Sequence, residues 1–299
     1  MLQGLDALVF DIQDIGVRFY TYISTLKLAM DAAAEAGLQV FVLDRPNPRG
    51  GLQVEGPVLD PSFTSFVGIA PVALVHGMTV GELALFFEGE ALLEGGRRGR
   101  LQVISARGWR REMTWPDTGL PWTPTSPNIR TVESAIAYPA LGLFEGVNVS
   151  EGRGTQETFL IAGAPWMDQE KLLGALEGLR LPGLRFLGET FTPERLPEAP
   201  TPLYPGQLCR GFRLRVEAPA DFQPIRTGLS LIATVRRLHP EEFRWKEGRN
   251  GRFVIDWLLG TDRPRLGLEA GESVEAILAS LEPDLARFRE RRAFYLLYR

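Results

Sequence analysis

The sequence predicts an α/β protein: a Rossmann-like doubly wound sheet in the first half, followed by a smaller α+β part. Three observations lead there. Two short apolar runs, Leu5–Phe10 and Leu38–Leu43, flank a segment with apolar residues at helical spacing, which makes one βαβ unit. A capped helix and a third strand, Leu101–Ile104, continue the alternation. Beyond residue 165 the pattern changes: prolines crowd one segment, and a single alternating strand precedes a series of helices.

Each element has its own signal. Leu5–Phe10 is almost continuously apolar, as expected of a parallel strand covered on both faces. Ile23, Leu26, Met30 and Ala33 mark one face of a helix, and Gly37 supplies its stop. Leu38–Leu43 is the second strand, and Pro46, Pro48, Gly50 and Gly51 forbid its continuation. Thr79-Val80-Gly81-Glu82 is a capping box ahead of a helix carrying Leu83, Phe86 and Phe87, with its stop expected at Gly95-Gly96. Residues 115–128, rich in proline and holding Trp115 and Trp122, read as a long ordered loop. A helix over Thr131–Leu141 and a polar, glycine-rich segment, Phe144–Thr155, follow, and Gly163–Trp166 closes the half. Prolines 193, 197, 200, 202 and 205 mark a wrap-around connection or linker, and Phe212–Val216 alternates like a half-buried strand. Helices are expected near 227–238, 252–259, 273–280 and 284–291. The expected domains are 1–165 and 166–299.

Composition narrows the function. The 299 residues carry 33 basic and 37 acidic side chains, a net charge of -4, which argues against a surface built to neutralise nucleic-acid phosphates. One cysteine, Cys209, and no Cys/His cluster at zinc spacing argue against a structural zinc site. Lysine is rare, with only Lys27, Lys171 and Lys246 in an arginine-rich chain. No apolar run approaches the ~18 residues that span a bilayer, and no export signal precedes the first strand, so the chain as written reads as cytoplasmic. Glycine-rich nucleotide loops and the serine-hydrolase elbow are both missing from the sequence.

Polar residues gather just past the carboxyl ends of the predicted strands, where open α/β sheets form their binding crevice. Asp11, Gln13 and Asp14 follow the first strand; Asp44, Arg45 and Asn47 follow the second. Turn chemistry alone also accounts for such residues. Asp11, Asp14 and Asp44 could also hold a magnesium ion, a minor option. Tyr20 and Tyr22 either face a ligand or pack, and Trp115 and Trp122 either stack on a sugar face or fill core. His76, just before the capped helix, is either a ligand contact or a structural histidine; His239 reads as helix-end packing. Glu145, Asn148, Glu151 and Arg153 form a second cluster, on a segment whose glycines permit close backbone approach. Carboxylates beside an amide and a guanidinium suit sugar hydrolysis and recognition, while Glu151 with Arg153 also reads as a structural ion pair.

Six stretches in order resemble one family: Phe10–Tyr22, Leu43–Pro48, Val54–Pro57, His76–Glu82, Asp117–Trp122 and Phe144–Thr155, with Gly260-Thr261-Asp262 and Tyr295–Tyr298 extending the match to the chain's end. The family is the NamZ-type exo-β-N-acetylmuramidases, glycoside hydrolase family 171, formerly a domain of unknown function. The resemblance implies a Rossmann-like catalytic domain without nucleotide, an auxiliary C-terminal domain, and an active site in the cleft between them. It implies release of terminal N-acetylmuramic acid from the non-reducing end of peptidoglycan fragments. Its partner is a carbohydrate, a muropeptide or MurNAc-GlcNAc fragment, with no metal or organic cofactor. On this reading Glu151 or Asp14 does the acid-base work, with Glu145 a further catalytic carboxylate. Arg153 or Arg18 meets the lactyl carboxylate, and Asn128 and Asn148 meet acetamido or hydroxyl groups. Gln13, Tyr20, Tyr22, Asp44, Arg45, Asn47 and His76 complete the binding set. Family members carry a further segment ahead of the strand at Leu5, with a Ser-Pro-Glu-His-Gly motif whose glutamate leads the family's catalytic candidates. That motif does not occur here, so the sheet is expected to be N-terminally incomplete and a secreted or periplasmic location becomes compatible. The alternative function is a non-catalytic muropeptide-binding remnant.

Overall fold

The computed structural model describes residues 2–248 and 251–299. It divides into two compact units, Met1–Pro121 with Glu282–Arg299, and Trp122–Leu281.

The first unit is built on a parallel sheet in the order β1 (Ala7–Phe10), β2 (Gln39–Leu43), β5 (Arg100–Ile104). Helix α1 (Tyr22–Ala36) joins β1 to β2 and ends on Gly37 in the left-handed conformation. Helix α2 (Val80–Gly89) precedes β5 and starts in the expected capping box, with Thr79 and Glu82 bonding reciprocally. The winding runs one way across the three strands, and because such crossovers share one hand, both helices pack on one face. Register places Leu8, Phe10, Val40, Val42, Leu101 and Val103 on that face, where they join the core with Ile23, Leu26, Leu83 and Phe87. The opposite face, including Val9 at 63% exposure, is open in this unit, so β1 is not the doubly covered strand its apolar run suggests. Helix α2 stops at Gly89, short of Gly95-Gly96, where the glycine's bare face receives the Tyr295 ring. Between β2 and α2 lies an antiparallel pair, β3 (Glu55–Val58) and β4 (Ala73–Val75), which the sequence did not disclose. The end of the chain returns to this core through Leu285 and Phe288, and Phe288 meets Phe86 edge to face at 5.9 Å.

The second unit is α+β. Its antiparallel sheet has the order β6 (Ile161–Ala164), β8 (Cys209–Val216), β7 (Leu184–Phe191). Gly163-Ala164 therefore belongs to this sheet. Helix α3 (Val132–Leu141) opens in a Thr131/Ser134 capping box, α4 (Gln169–Gly178) is capped by Asp168, and α5 (Pro224–Leu238) carries proline at its first position. Phe144 and Phe186 both meet Phe212 edge to face, which fastens the sheet to its surroundings. Two short helices follow, α6 (Val254–Leu259) and α7 (Arg263–Glu269). The two expected terminal helices are one, α8 (Val274–Arg292), which runs through Pro283 at the loss of one backbone bond. No helix among the described residues is long and apolar enough to cross a membrane.

Close strand approach in this sheet rests on glycine. A Cβ at Gly211 would overlap the Ala162 carbonyl oxygen across the β6/β8 pair, whereas one at Gly174 on α4 meets nothing. Gly211→Ala is expected to destabilise this unit by on the order of 3 kcal/mol, read as an earlier urea midpoint. Gly174→Ala should hold the midpoint or raise it, by up to about 1 kcal/mol.

Candidate active site

The segment after α3 folds back on itself between Glu145 and Phe159. Gly152 and Gly154 take φ of 83° and 84°, values that favour glycine, and the Gly154 carbonyl accepts the Glu194 N–H at 2.9 Å. That bond draws in the proline-rich segment, which lines a cavity of about 410 Å³ together with Glu145, Glu151, Arg153 and Lys246. Arg153 is the hub. Its Nε donates to Glu145 Oε1 at 3.0 Å and lies 3.0 Å from Glu151 Oε1, while its Nη2 also donates to Glu145. Its guanidinium sits over the Phe159 ring, 5.1 Å from the centroid.

The electrostatics separate the two carboxyls. Burial and then the charge of Glu145 push Glu151 up to about 7, against the pull of Arg153 and Lys246. Burial disfavours the charge on Arg153, yet Glu145 and Glu151 outweigh it and its pKa is raised. The centre thus holds one carboxyl that carries its proton near neutrality beside another that shares its cation. Alternate side chains of the 245–247 stretch face different cavities: Lys246 lines this one, while Trp245 and Glu247 line a larger one of about 930 Å³ that neither carboxyl reaches.

Nearby amides act from further back. Asn128 Nδ2 donates to the Glu198 carbonyl at 3.1 Å, and Glu198 lines the cavity and pairs with Arg130. Asn148 spends its side chain on the backbone, donating to Glu242 O at 2.8 Å and accepting the Arg244 N–H at 2.8 Å.

In the first unit the predicted residues form a separate polar centre. Asp14 Oδ2 accepts the Gly16 N–H at 2.7 Å, and burial pushes the carboxyl up to about 7. His76 is fully buried and held neutral, its pKa forced down to about 3 by burial and by the charges of Arg292, Arg18 and Arg49. Its Nδ1 accepts the Met78 N–H at 3.2 Å, which assigns the proton to Nε2, 3.9 Å from Asp14 Oδ2. Gln13 donates to the Asp14 and Pro46 carbonyls. Asp14 Oδ1, Gln13 Oε1 and His76 Nε2 are buried and make no hydrogen bond among the described residues.

The other first-unit residues are engaged elsewhere. Asp44 accepts from Arg45 N, Gly81 N, the Thr79 hydroxyl and the Tyr298 hydroxyl, so its carboxylate pins the start of α2 to the end of β2. Arg45 pairs with Asp11 at the surface, Asn47 bridges Met78 O and Arg49 N, and Arg18 donates to the Pro57 and Val72 carbonyls. Tyr20 and Tyr22 stack edge to face at 4.8 Å. Among the described residues no group of three or more His, Cys, Asp or Glu side chains is gathered as a metal would need.

Residues 1–133 match the family model described as exo-beta-N-acetylmuramidase NamZ, N-terminal, and residues 136–298 match its C-terminal counterpart. The chain belongs to the NamZ family. Peptidoglycan beta-N-acetylmuramidase NamZ of Bacillus subtilis (strain 168) is 45% identical over 298 residues, covering 100% of this chain and 69% of that protein. Two crystal structures of DUF1343 family proteins from Bacteroides fragilis NCTC 9343 are each 33% identical over 100% of the chain. They superpose with TM-scores of 0.91 and 0.77, covering 76% and 77% of their own chains. Within this NamZ fold, the sequence reading missed Lys246 and Glu198 as cavity residues. The rarity of lysine in the chain was the one available hint for Lys246; Glu198 gave none.

Asp14 also makes stability depend on pH. Its folded pKa lies above its ordinary value of 3.8, so the folded state retains a proton that the unfolded chain has lost, and stability falls as pH rises from about 4 to about 7. Asp14→Asn removes that loss. The variant's advantage over the parent should grow by about 3 kcal/mol between pH 5 and pH 8, measured by urea unfolding at both pH values.

Proposed function

We propose that this chain is an exo-β-N-acetylmuramidase, a glycosidase that releases terminal N-acetylmuramic acid from the non-reducing end of peptidoglycan fragments. Family membership along the whole chain supports the activity and does not favour a binding-only remnant. One observation carries the chemistry: Glu151, pushed up to about 7, shares Arg153 with Glu145 in an open cavity. In this reading Glu151 is the acid that protonates the leaving oxygen, and Glu145 is the carboxylate that stabilises or attacks the anomeric carbon. Lys246, beside the paired Arg153, brings to the cavity a positive charge that a lactyl carboxylate requires, and Asn128 supports the wall through Glu198.

Glu151→Gln tests the assignment on a MurNAc-GlcNAc fragment, whose sugar leaving oxygen needs a proton. Turnover should fall by on the order of 10²- to 10⁴-fold while thermal stability is kept, because the amide cannot donate the acid proton. Unchanged turnover removes Glu151 from the mechanism. The parent's kcat/KM should decline on the alkaline side as an acid titrating near 7 loses its proton, and a flat profile up to pH 9 counts against the same role.

A further inference from the structure

The spacing of the two glutamates also constrains the stereochemistry of the reaction. Glu145 Oε1 and Glu151 Oε1 each lie 3.0 Å from the same atom, Arg153 Nε. Two points at that distance from a common third are separated by at most twice it. Inverting glycosidases hold their carboxyls roughly 6.5–9.5 Å apart to admit a water between base and sugar, whereas retaining enzymes hold them about 5–5.5 Å apart so that one can attack directly. The shared guanidinium keeps this pair below the inverting range. The influence of Glu145's charge on Glu151 is a second sign of their closeness.

We infer that the chain hydrolyses its substrate with retention of configuration by double displacement, with Glu145 as the nucleophile and Glu151 as the acid and then the base. The inference rests on the muramidase reading of this same site. In the first step a Glu145 carboxylate oxygen bonds to the anomeric carbon, the glycosidic C–O bond breaks, and the leaving oxygen takes the proton from Glu151. In the second, Glu151 accepts a proton from water as its oxygen bonds to the anomeric carbon and the ester bond to Glu145 breaks. The sum consumes one water, returns both glutamates to their starting states and frees the sugar as its β anomer. Arg153 suits both steps: its bonds to Glu145 hold the nucleophile in place, and it remains to receive Glu151 when that group has given up its proton.

Early time points of hydrolysis by the intact chain, followed by proton NMR of the anomeric signal, provide the test. The expected first product is β-N-acetylmuramic acid, which mutarotates afterwards. An α anomer appearing first overturns the inference while leaving the muramidase reading intact. No hydrolysis of the muramic acid glycoside at all overturns the reading itself, and the inference with it. Azide rescue assigns the roles on the 4-nitrophenyl β-glycoside, where azide bonds to the anomeric carbon and nitrophenolate leaves. Glu145→Ala should give the α-glycosyl azide by a single displacement, and Glu151→Ala the β-glycosyl azide through the Glu145 ester. If the parent retains configuration but Glu145→Ala keeps its full turnover without azide, the substrate's own acetamido group is the nucleophile and the assignment to Glu145 falls.

Discussion

The second unit's site depends on one guanidinium. Arg153 cannot shed its charge, so placing it in a partly closed cavity requires counter-charge at hand. Glu145 and Glu151 supply it. The same requirement shapes the loop: Gly152 and Gly154 turn the chain in the left-handed region, and Phe159, itself at φ 62°, offers its ring beneath the guanidinium while its N–H donates to the Glu151 carbonyl at 2.8 Å. Gly154 then fixes the proline-rich segment through Glu194, and that segment forms the cavity's wall. Carboxyl spacing, protonation and cavity shape all follow from the placement of one side chain.

The first unit shows how the number of donors decides what a buried carboxylate does. Asp44 is pulled upward by burial but accepts from four groups that each pull it down, and the result is a joint between β2, α2 and the end of the chain. Asp14, equally buried, is countered only by the backbone N–H groups of Gly16 and Ile15, and it stands near 7 with one oxygen unbonded. Both residues follow parallel strands, and from sequence both look like crevice residues. Their surroundings distinguish them: four donors consume a carboxylate in structure, while a shortage of donors leaves it able to exchange a proton.

Legibility in the sequence followed the same division between local and distant causes. Helices with their own punctuation were readable: α1 with Gly37, α2 with its Thr79/Glu82 box, α3 behind Thr131. Strands whose form depends on a neighbour were not. Ile161–Ala164 was not read as a strand, and of Cys209–Val216 only Phe212–Val216 was, because close strand pairing demands the small residues that blur a strand signal. The single-sided burial of β1 was equally hidden, since an apolar run reports hydrophobicity and not which way the crossovers wind. In the site, Glu145, Glu151 and Arg153 were visible as a group because nine residues contain them all. Lys246 enters the same cavity from far along the chain, and no local pattern could join it to the others.

A structural ion pair and a catalytic pair begin as the same object, and the number of carboxyls is what favours the proposed catalytic reading here. One guanidinium needs one carboxylate, and Glu145 already meets Arg153 through two nitrogens. Glu151 is then a second carboxyl on a cation already engaged, beside a like charge and away from water, which is why it holds its proton near neutrality. For stability alone that carboxyl is a burden, since an amide or an apolar side chain would fill the place without a charge to bury. Its chemical use is specific: it can give a proton to a leaving oxygen at neutral pH, and once it has done so Arg153 is within 3.0 Å to hold the anion until water returns the proton. The surplus carboxyl is the feature of this loop that packing does not require and that the proposed acid role uses.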